Sequence, residues 1–532
     1  MRRAAGRLFR RAFPLLALGL GFGFGNLPAS VCRASDSFHP TGGTFLRAGD
    51  RSVTVQWDCG HAAAGPFSVE RRLAGASGGS NGSVVRRGLP APAWADVAVT
   101  NGIAYEYRVV GPDGSSGPWA AATPKEFADD TAFLDLLAAT AFDYFRFEAN
   151  PRNGLVRDRN RRDSKCSIAA VGFGLSAQVA AVERGWWDRA AAAERVRTTL
   201  RTFLERPQGP GAEGTAGHRG WFYHFLEMDT GLRAWKCELS SIDTVLFLGG
   251  VLDARAFFRG DVPVEREIRD LAERLVARVD WSWMTDGEDT FSMGWHPEKG
   301  FIRSRWRGYN EGMLLYLLAL GSAGPELPAT WSAWTRTSGW GRLEGFEFSP
   351  FPPLFGHQYS HVWVDFRGIA DDFLRPRGID YFENSRRATL AQRAHAIRNP
   401  GGFTGYGPWI WGFTASDTPD GYAAHGAPPS ENEHGTVVPT AAGGSVAFAP
   451  EVCIPTLRAL YEQHREGLWG PYGFRDAFHP GRGWYATDTL GIDQGPILLM
   501  IENLRGRGPW SRLGSDPILR RGLERAGFRP LR

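Results

Sequence analysis

Four acidic residues occupy similar places in the sequence, each at the start of a segment whose pattern predicts a helix. They are Asp243 in ELSSIDTVLF, Glu311 in RGYNEGMLLYL, Glu383 in DYFENSRRATL and Asp493 in GIDQGPILLM. An acid in the first helical turn can cap free N–H groups and complement the helix dipole. Two carboxyls that face one cleft can instead cleave a glycosidic bond, because one protonates the leaving oxygen while the other activates water or attacks the sugar. For any one of these residues alone, capping is the simpler interpretation.

The surroundings of the four acids favour a shared catalytic cleft. Each acid lies between a polar or Gly-containing segment and an apolar helix, and Arg307, Tyr309, Asn310, Tyr381 and Gln494 stand beside them. The chain contains 20 Trp, 34 Phe and 13 Tyr, and aromatic rings serve both as core and as platforms for sugar rings. If alternate helices form an inner ring, their N-termini meet at one end, and the four acids would line a single funnel.

Other patterns of chemically active residues are weaker. GHQYSH places His357 and His361 four residues apart, on one face of a helix, as two metal ligands could stand. Neither an HExxH motif nor a third ligand accompanies them, so we favour hydrogen bonding to sugar or packing, and we expect no metal and no cofactor. SDTPDG, which contains Asp417, is only faintly like a calcium loop. No GxSxG, P-loop or dinucleotide fingerprint occurs between a strand and a helix.

The elements that would position these residues are mostly helices. From Phe127 onward, apolar residues recur at spacings of three and four, with long loops rich in Gly, Pro and Trp between the periodic segments. Segments such as TVLFLGGVLDA and PILLMIEN are almost wholly apolar, as helices packed on both sides are. Twelve helices over residues 127–532 predict a two-layer ring of six helical hairpins, an (α/α)6 toroid. The predicted helices are 130–148, 167–184, 189–205, 241–258, 264–279, 310–321, 328–336, 358–368, 383–398, 448–464, 493–505 and 514–526.

The residues before this region have a different pattern. Runs such as SVTVQW, FSVERRL and AYEYRVV are separated by turns rich in Gly and Ser, which predicts a small all-β, immunoglobulin-like sandwich over residues 37–124. The run from Asn101 to Pro124 resembles the end of a fibronectin type III domain, with Trp57 as its buried tryptophan. Trp57 and Tyr105 are therefore expected in a core rather than at a ligand.

The first 34 residues have the features of an export signal. A basic segment precedes a short apolar run from Phe13 to Gly25, and small residues from Ala29 to Ala34 could provide a cleavage site. We therefore expect an exported protein, periplasmic or secreted, with RRAF as a candidate twin-arginine motif; a lipoprotein built on Cys32 is the less favoured alternative. Export permits disulfides among the five Cys, and the lack of a CxxC pair argues against a structural zinc site.

Charge and composition exclude some partners. A net charge of +4 without a basic stripe is not the footprint of a nucleic-acid-binding protein. Apart from the N-terminal run, no apolar segment is long enough to suggest a membrane span. We expect a soluble protein that binds no nucleic acid and makes no stable membrane insertion. The sequence carries no signal for its oligomeric state.

Long motifs throughout the helical region carry a family resemblance. They are NGLVRDR, SIAAVGFGL, ELSSIDT, RGYNEGM, PLFGHQYSHVWVDFRG, IDYFENSRRATLAQRAHAI, WGFTASDTPDGY, PTAAGGSVAFAPE, YGFRDAF and GIDQGPILLMIEN. In this order they closely resemble the glucoamylase-like domain family of bacterial exported proteins. That family is related to the endo-β-1,2-glucanases (glycoside hydrolase family 144-like) and to the transglycosylating domain of cyclic β-1,2-glucan synthases. The resemblance implies an (α/α)6 barrel that acts on glucan or a related glycan.

The resemblance also implies roles for individual residues. Glu311 of YNEGM is expected to be the general acid, and Asp493 of GIDQGP could supply the base. Asp243 falls where the β-1,2-glucanases carry a Glu in a D-x-x-E-T run. Here the run is SSIDT, so one acid is absent and the other is shortened, which leaves the role of Asp243 and the linkage open. The residues expected to bind substrate are Arg159, Arg307, Tyr309, His357, Gln358, Tyr359, Glu383, Trp411, Asp417 and Gln494.

These features predict an exported glycoside hydrolase that cleaves a glucan polysaccharide or oligosaccharide with paired carboxylates, β-1,2-glucan being the first linkage to test. Two alternatives stay open. The altered D-x-x-E-T run would suit a barrel that binds glycan without catalysis, and a glucan transglycosylase could use the same fold. Polysaccharide lyases also use helical toroids, but nothing in the sequence demands an acidic substrate.

Overall fold

The computed structural model describes residues 44–57, 66–75, 82–89, 92–323, 327 and 329–531. The predicted export signal, with Cys32, lies outside these residues, and so does Cys59. Within them, Cys166, Cys237 and Cys453 are free thiols. None of the helices in this part of the chain is long and apolar enough to cross a membrane.

The N-terminal region forms two antiparallel sheets. Its strands are β1 Phe45–Gly49, β2 Ser52–Gln56, β3 Phe67–Leu73, β4 Ser83–Leu89, β5 Ala93–Asp96, β6 Tyr105–Val110 and β7 Ala120–Ala122. One sheet has the order β1-β2-β5 and the other β4-β3-β6-β7. Side chains from both sheets meet around Trp57, which is buried and packs edge-on against Phe67 with ring centroids 5.4 Å apart. This confirms the small all-β sandwich and the core position of Trp57.

Across the described residues from 130 to 525, the chain forms fourteen α-helices. Short 3₁₀ turns at Trp283–Thr285, Leu354–His357, Arg375–Arg377 and Pro480–Arg482 connect some of them. The helices are α1 Asp130–Phe147, α2 Ile168–Glu183, α3 Arg189–Glu205, α4 Ser241–Phe257, α5 Pro263–Ala277, α6 Met313–Ser322, α7 Ala329–Thr335, α8 Tyr359–Trp363, α9 Tyr381–Arg398, α10 Pro439–Gly443, α11 Pro450–Leu468, α12 Gly491–Leu504, α13 Pro509–Leu513 and α14 Pro517–Arg525.

The even-numbered helices α2 to α12 form an inner ring, and the odd-numbered helices α1 to α11 surround it. The inner helices are apolar on all sides: every residue of α2 from Ile168 to Ala181 is buried, and so is every residue of α6 from Met313 to Gly321. An outer helix such as α5 buries one stripe that includes Ile268, Leu271 and Leu275. This difference is what packing on two sides or on one side requires. The predicted (α/α)6 toroid is confirmed.

Two inner helices meet backbone to backbone. A Cβ atom on Gly172 of α2 would lie 2.2 Å from the carbonyl oxygen of Leu246 in α4, and one on Gly250 would lie 2.0 Å from the carbonyl oxygen of Gly172. No residue with a side chain fits at such a distance, so glycine at these two positions sets the spacing of α2 and α4. The start of α4, which carries Asp243, is thereby held firmly against its neighbour.

The shortest members of the ring differ from the predicted helices. The sequence pattern gave no signal for α10, which is only five residues long, too short for a helical period to show. The helix predicted at 358–368 ends at Trp363, because Val364 is extended. The helix predicted at 514–526 corresponds to α14, which lies outside the twelve-helix ring and packs on α6, with Gly522 against the carbonyl oxygen of Leu317.

Strands of two or three residues pair within the loops between helices. Several stand directly before inner helices, as β8 does before α2 and β12 before α4, so the loops at that end of the ring are held by backbone hydrogen bonds. These strands are β8 Cys166–Ser167, β9 Gly217–His218, β10 Trp221–Phe222, β11 Phe225–Leu226, β12 Leu239–Ser240, β13 Gly294–His296, β14 Gly300–Phe301, β15 Gly341–Leu343, β16 Phe346–Phe348, β17 Ile369–Ala370, β18 Ser416–Thr418, β19 Gly421–Ala423, β20 Trp469–Gly470, β21 Gly473–Phe474, β22 Phe478–His479, β23 Trp484–Tyr485 and β24 Arg529–Pro530.

The sandwich docks on the barrel through polar side chains. Arg47 of β1 forms a two-pronged ion pair with Asp143 of α1, with one Nη2–Oδ1 distance of 2.8 Å, and Asp143 is fully buried. A hydrogen bond of 2.8 Å joins the hydroxyls of Ser52 and Tyr461, which lies on α11. Gln56 donates to the carbonyl oxygen of Pro471 over 2.7 Å. These contacts fix the sandwich to the first and last outer helices of the ring.

Replacing Arg47 by Met should destabilise the protein, because the buried carboxylate of Asp143 would lose its cation. The expected cost is about 3 kcal/mol, seen as a lower unfolding midpoint in calorimetry. The matched control is Arg72→Met, since Arg72 pairs with Glu106 at 2.6 Å on the partly exposed face of the sandwich, where such pairs contribute at most about 1 kcal/mol. Equal midpoints for the two variants would contradict the buried docking pair.

Candidate active site

Three of the four acids at predicted helix starts lie at the same end of the inner ring. Asp243 is in the first turn of α4, Asp493 in the first turn of α12, and Glu311 just before α6. Tyr359, the first residue of α8, lies near all three acids. Burial and the negative charges of Asp493, Glu311 and Asp243 therefore raise the pKa of its phenol. The ring of Tyr359 is braced by Phe173 of α2, with centroids 5.6 Å apart. Four inner helices therefore contribute side chains to one cluster.

Glu311 is not a helix cap. The helix α6 begins at Met313 with Gly312 as its N-cap, and no side chain caps it. Glu311 is 5% exposed, and its Oε2 has no hydrogen-bond partner among the described residues. Its backbone oxygen accepts a 2.7 Å hydrogen bond from the Ser360 hydroxyl, which holds the turn. Burial, reinforced by the charge of Asp243, raises the pKa of Glu311 to about 8, so this carboxyl is protonated at neutral pH.

Asp493 forms a carboxyl pair with Asp476, a residue that precedes α12 in the chain. Asp493 is 4% exposed and its Oδ2 has no partner in the described structure. Burial raises the pKa of Asp493, and the hydrogen bond to Asp476 opposes the rise. Burial and the charge of Asp493 also raise the pKa of Asp476, whose Oδ2 accepts a 2.6 Å hydrogen bond from the Asp417 backbone. Two adjacent buried carboxyls of this kind oppose each other's ionisation, because like charges repel strongly in a buried site.

Arg159 places a positive charge beside this pair. Its Nη1 lies 2.6 Å from Asp417 and 3.2 Å from Asp488, and the guanidinium stands 5.9 Å from the ring of Tyr422. Burial of its hydroxyl end and the charges of Asp476 and Asp493 raise the pKa of Tyr422, although 39% of the residue's surface is exposed. The structure thus brings the predicted residues Arg159 and Asp417 to the site, where the arginine is already held by aspartates.

Asp243 faces a second ionisable group, His224. The N-cap residue Ser240 accepts a hydrogen bond from the Asp243 backbone and donates one of 2.5 Å to its Oδ2. His224 Nε2 lies 3.6 Å from the same oxygen, and His224 Nδ1 lies 2.9 Å from Glu238 Oε1. Burial raises the pKa of Asp243, while the charge of His224 and the Ser240 hydroxyl oppose the rise. Asp243 is therefore both a first-turn helix residue and part of the acid cluster.

Several predicted substrate-binding residues lie behind the cluster rather than in it. His357, Gln358 and Trp411 have no exposed surface, so they do not line a cleft as predicted. His357 and His361 both contact the hydroxyl of Ser385, which explains their spacing by packing. Burial lowers the pKa of His357 to about 3. The Gln358 amide donates to the Ala441 carbonyl over 2.8 Å and so ties α8 to α10.

Tyr309, Gln494 and Arg307 are likewise engaged within the protein. The Tyr309 hydroxyl bonds to Ser385 at 3.2 Å, and the Gln494 amide donates to the Phe474 carbonyl at 3.1 Å. Arg307, in the turn before Glu311, is half exposed and pairs with Glu288 at 3.1 Å. Of these three side chains, only Arg307 has substantial surface to offer a ligand.

The prediction that Glu383 lines the same funnel is wrong. It begins α9, an outer helix that runs antiparallel to the inner ones, so its N-terminus lies at the opposite end of the barrel. The neighbouring Phe382 packs against Trp510, whose backbone bonds to Asn503 in the last turn of α12. Glu383 itself pairs with Arg387 at 2.7 Å within its own helix. Its place in the first helical turn is explained by that pair and by the helix dipole.

One exposed aromatic residue near the acids had not been predicted. Trp235 is 54% exposed and has a left-handed backbone, with φ of 52°. Its ring meets Phe225 with centroids 5.3 Å apart, and Phe225 stacks on His224 at 4.0 Å. A non-glycine residue in this conformation costs free energy and is often found at functional sites. Trp235 thus presents an indole face to solvent at the edge of the acid cluster.

The sequence contained signals for some of the missed residues but not for all. Glu238 and Asp476 lie inside the motifs ELSSIDT and YGFRDAF, and Tyr422 lies inside WGFTASDTPDGY. His224 and Trp235 lie in a loop outside every motif. Only the tertiary structure brings His224 to Asp243, and Trp235 reaches His224 through Phe225.

Comparison with known proteins places this site in a family. A sequence model described as "Putative glucoamylase" matches residues 303–517, which include Glu311 and Asp493. A crystal structure from Bacteroides uniformis described in the same words is 31% identical, covers 76% of this chain and 98% of its own chain, and has a TM-score of 0.69. The chain belongs to this glucoamylase-like family. Its motifs and its helical ring both agree with that membership.

Two further similarities within this comparison are to proteins of Parabacteroides distasonis. A curated relative, named exo β-1,2-glucooligosaccharide sophorohydrolase (non-reducing end), is 29% identical over 433 residues. The match spans 74% of this chain but only 58% of that relative. The crystal structure of a β-1,2-glucanase is 25% identical, with a TM-score of 0.82, and covers 94% of this chain and 74% of that one. Coverage of 94% reaches beyond the helical ring, so the likeness includes the sandwich.

The raised pKa of Glu311 predicts a pH-dependent stability difference. The pKa of Glu311 in the folded protein, about 8, lies above its ordinary value of 4.5, so the wild type loses stability as pH rises between these values, because only the unfolded chain ionises there. Glu311→Gln cannot titrate. The unfolding midpoint of the variant, relative to wild type, should therefore increase steadily from pH 4.5 to pH 8. A difference that stays constant with pH would show that Glu311 is ionised in the folded protein.

Proposed function

We propose that this member of the glucoamylase-like family is a glycoside hydrolase that cleaves a β-glucan, with β-1,2-glucan as the first substrate. One observation carries the proposal: the Glu311 carboxyl, buried and beside the charge of Asp243, holds its proton at neutral pH. Protonation of a glycosidic oxygen requires such an acid together with an ionised partner. The names of the two Parabacteroides proteins point to the β-1,2 linkage.

In the proposed mechanism Glu311 protonates the leaving oxygen, and the Asp476–Asp493 pair supplies the second carboxylate. In this proposal the two adjacent groups hold one proton between them, and the ionised group takes a proton from water or attacks the anomeric carbon. Activation of water inverts the anomeric configuration, whereas direct attack retains it. Asp243 is the other candidate base. The anomeric form of the first product therefore reports which step takes place.

The charge distribution supports a neutral sugar as the substrate. The acid cluster includes Asp243, Asp476 and Asp493, and the arginine beside it, Arg159, is already bound by Asp417 and Asp488. A polymer of uronic acids would bring its own carboxylates against these acids, and like charges in close contact repel. A polysaccharide lyase is therefore the weaker interpretation. A neutral glucan offers hydroxyl groups, which can donate hydrogen bonds to the carboxylates.

The proposal extends to the organisation of the whole chain. Residues 1–34 would direct export to the periplasm or the medium, residues 37–124 would form a fibronectin type III-like module, and residues 127–532 would form the catalytic domain. The basic and apolar N-terminal sequence supports export. Mass spectrometry of the protein recovered outside the cytoplasm would locate the cleavage site, and an intact N-terminus in the cytoplasm would reject export.

A linkage-resolved assay tests the reaction directly. The protein should release reducing ends from linear β-1,2-glucan in preference to β-1,3-, β-1,4- and β-1,6-glucans. Glu311→Gln should lower kcat by about 10²- to 10⁴-fold with little change in KM, because the proton donor is lost while the shape of the side chain is kept. Glu383→Gln, at the far end of the ring, should keep wild-type turnover.

The outcomes of this assay separate the alternatives. Binding of glucan without product would indicate a catalytically inactive binding protein, and products longer than the substrate would indicate a transglycosylase. Unchanged turnover of Glu311→Gln would reject its role as general acid.

Trp235 should contribute a sugar-binding platform at the edge of the cluster. We expect Trp235→Ala to raise KM for long β-1,2-glucooligosaccharides by about 3- to 10-fold, the size of one aromatic contact, with a smaller effect on the shortest cleaved substrate. Trp409→Ala is the matched control, because Trp409 is 40% exposed but stacks on Arg393 of the outer helix α9. Equal effects of the two substitutions would show that Trp235 is not part of the sugar-binding site.

A further inference from the structure

Two ionisable side chains, Glu238 and His224, adjoin Asp243 and have no role in the mechanism above. Glu238 Oε1 lies 2.9 Å from His224 Nδ1, and His224 Nε2 lies 3.6 Å from Asp243 Oδ2. The imidazole is stacked on Phe225, with centroids 4.0 Å apart and planes 15° apart, so its orientation is fixed. Each ring nitrogen of His224 therefore faces a carboxylate.

The charge of His224 follows from these contacts. Burial alone would lower the pKa of the imidazole, but the charges of Asp243 and Glu238 outweigh burial and raise the pKa to about 9. Burial would raise the pKa of Glu238, but the charge of His224 lowers it to about 2. Glu238 is thus an anion and His224 a cation across the neutral pH range.

Other ionisable groups face these three side chains from neighbouring segments. Asp158, on the segment before α2, adds a negative charge near His224, and Arg159 offsets the charge of Asp158. His296 of β13 faces Glu238, and burial lowers the pKa of His296, so it is neutral. Among these groups, His224 is the cation in direct ion-pair contact with Asp243.

We propose that His224, which lies between the carboxyls of Glu238 and Asp243, is a positioning residue that keeps Asp243 ionised, so that the charge of Asp243 reinforces burial in holding the proton on Glu311. His224 acts through Asp243 and not on the substrate. The ion pair offsets the burial of Asp243, whose carboxylate would otherwise take up a proton. Loss of the imidazolium therefore has the same consequence for Glu311 as loss of the Asp243 charge.

The pH dependence of kcat/KM distinguishes this arrangement from its alternatives, and this part of the test rests on the proposed function. Deprotonation of Glu311 gives the basic limb of the profile. His224→Gln leaves Asp243 protonated, so Glu311 loses a neighbouring anion and the basic limb moves to lower pH, by about one unit. Asp243→Asn should move the limb in the same direction. The double variant should move it no further than either single variant, because both remove one charge.

Three results would overturn the proposal. If His224 acted directly on Glu311 or on the substrate as a cation, its removal would move the basic limb to higher pH. If His224 only packed the loop, the limb would stay in place while stability fell. Additive shifts in the double variant would show that the two residues act independently. His464→Gln is the matched control, since His464 lies on the outer helix α11 and contacts Tyr485.

A second measurement needs no substrate. In protein labelled with ¹³C at histidine Cε1, the resonance that disappears in His224→Gln identifies His224. Its midpoint should lie near pH 9 in the wild type and fall in Glu238→Gln and in Asp243→Asn. A His224 that is neutral at pH 7 would overturn the proposal. If the wild type cleaves no glucan, the proposed function fails, and this titration still decides whether the imidazolium exists.

Discussion

Removing carboxyl groups from water is the constraint that shapes the active end of this ring. A buried carboxylate without a partner is too costly to persist, so each acid must lose its charge, share it or pair it. All three solutions occur within one cluster. Glu311 keeps its proton, Asp476 and Asp493 lie side by side and oppose each other's ionisation, and Asp243 pairs with the imidazolium of His224. The division of roles among the acids follows from these different solutions to one problem.

The position of each acid relative to a helix start contributes to that division. A helix N-terminus stabilises a negative charge by about 0.3–1 kcal/mol. Asp243 lies within the first turn of α4, so its carboxylate is stabilised in this way. Glu311 lies one residue before the N-cap of α6 and caps nothing. Burial therefore outweighs the dipole at Glu311. Asp493 also lies in a first turn, but it is buried beside Asp476, and the charge of either carboxylate opposes ionisation of the other.

The sequence specified the ring better than it specified the site. Inner helices are apolar all round, a property that is visible without coordinates, and so the toroid could be predicted. The five-residue helix α10 carries no such period, and without it Asp493 falls on an odd-numbered, outer helix instead of an inner one. Glu383 falls on an odd-numbered helix in either count. Polar residues inside motifs, such as Gln358, turned out to bridge helices in the interior. His224 reaches Asp243 through a loop, and no local pattern encodes such a long-range contact.

The docking of the sandwich has a consequence for how the barrel is completed. A ring made from one chain has a seam where its first and last hairpins meet. The sandwich lies across this seam, because Arg47 binds Asp143 of α1 and Ser52 binds Tyr461 of α11. The residues joined at Ser52 and Tyr461 are 409 positions apart. During synthesis the sandwich emerges first, and half of its seat exists only after the last hairpin has been made. We therefore expect its docking to be a late, long-range step of folding, in which the N-terminal module joins the first and last outer helices of the ring.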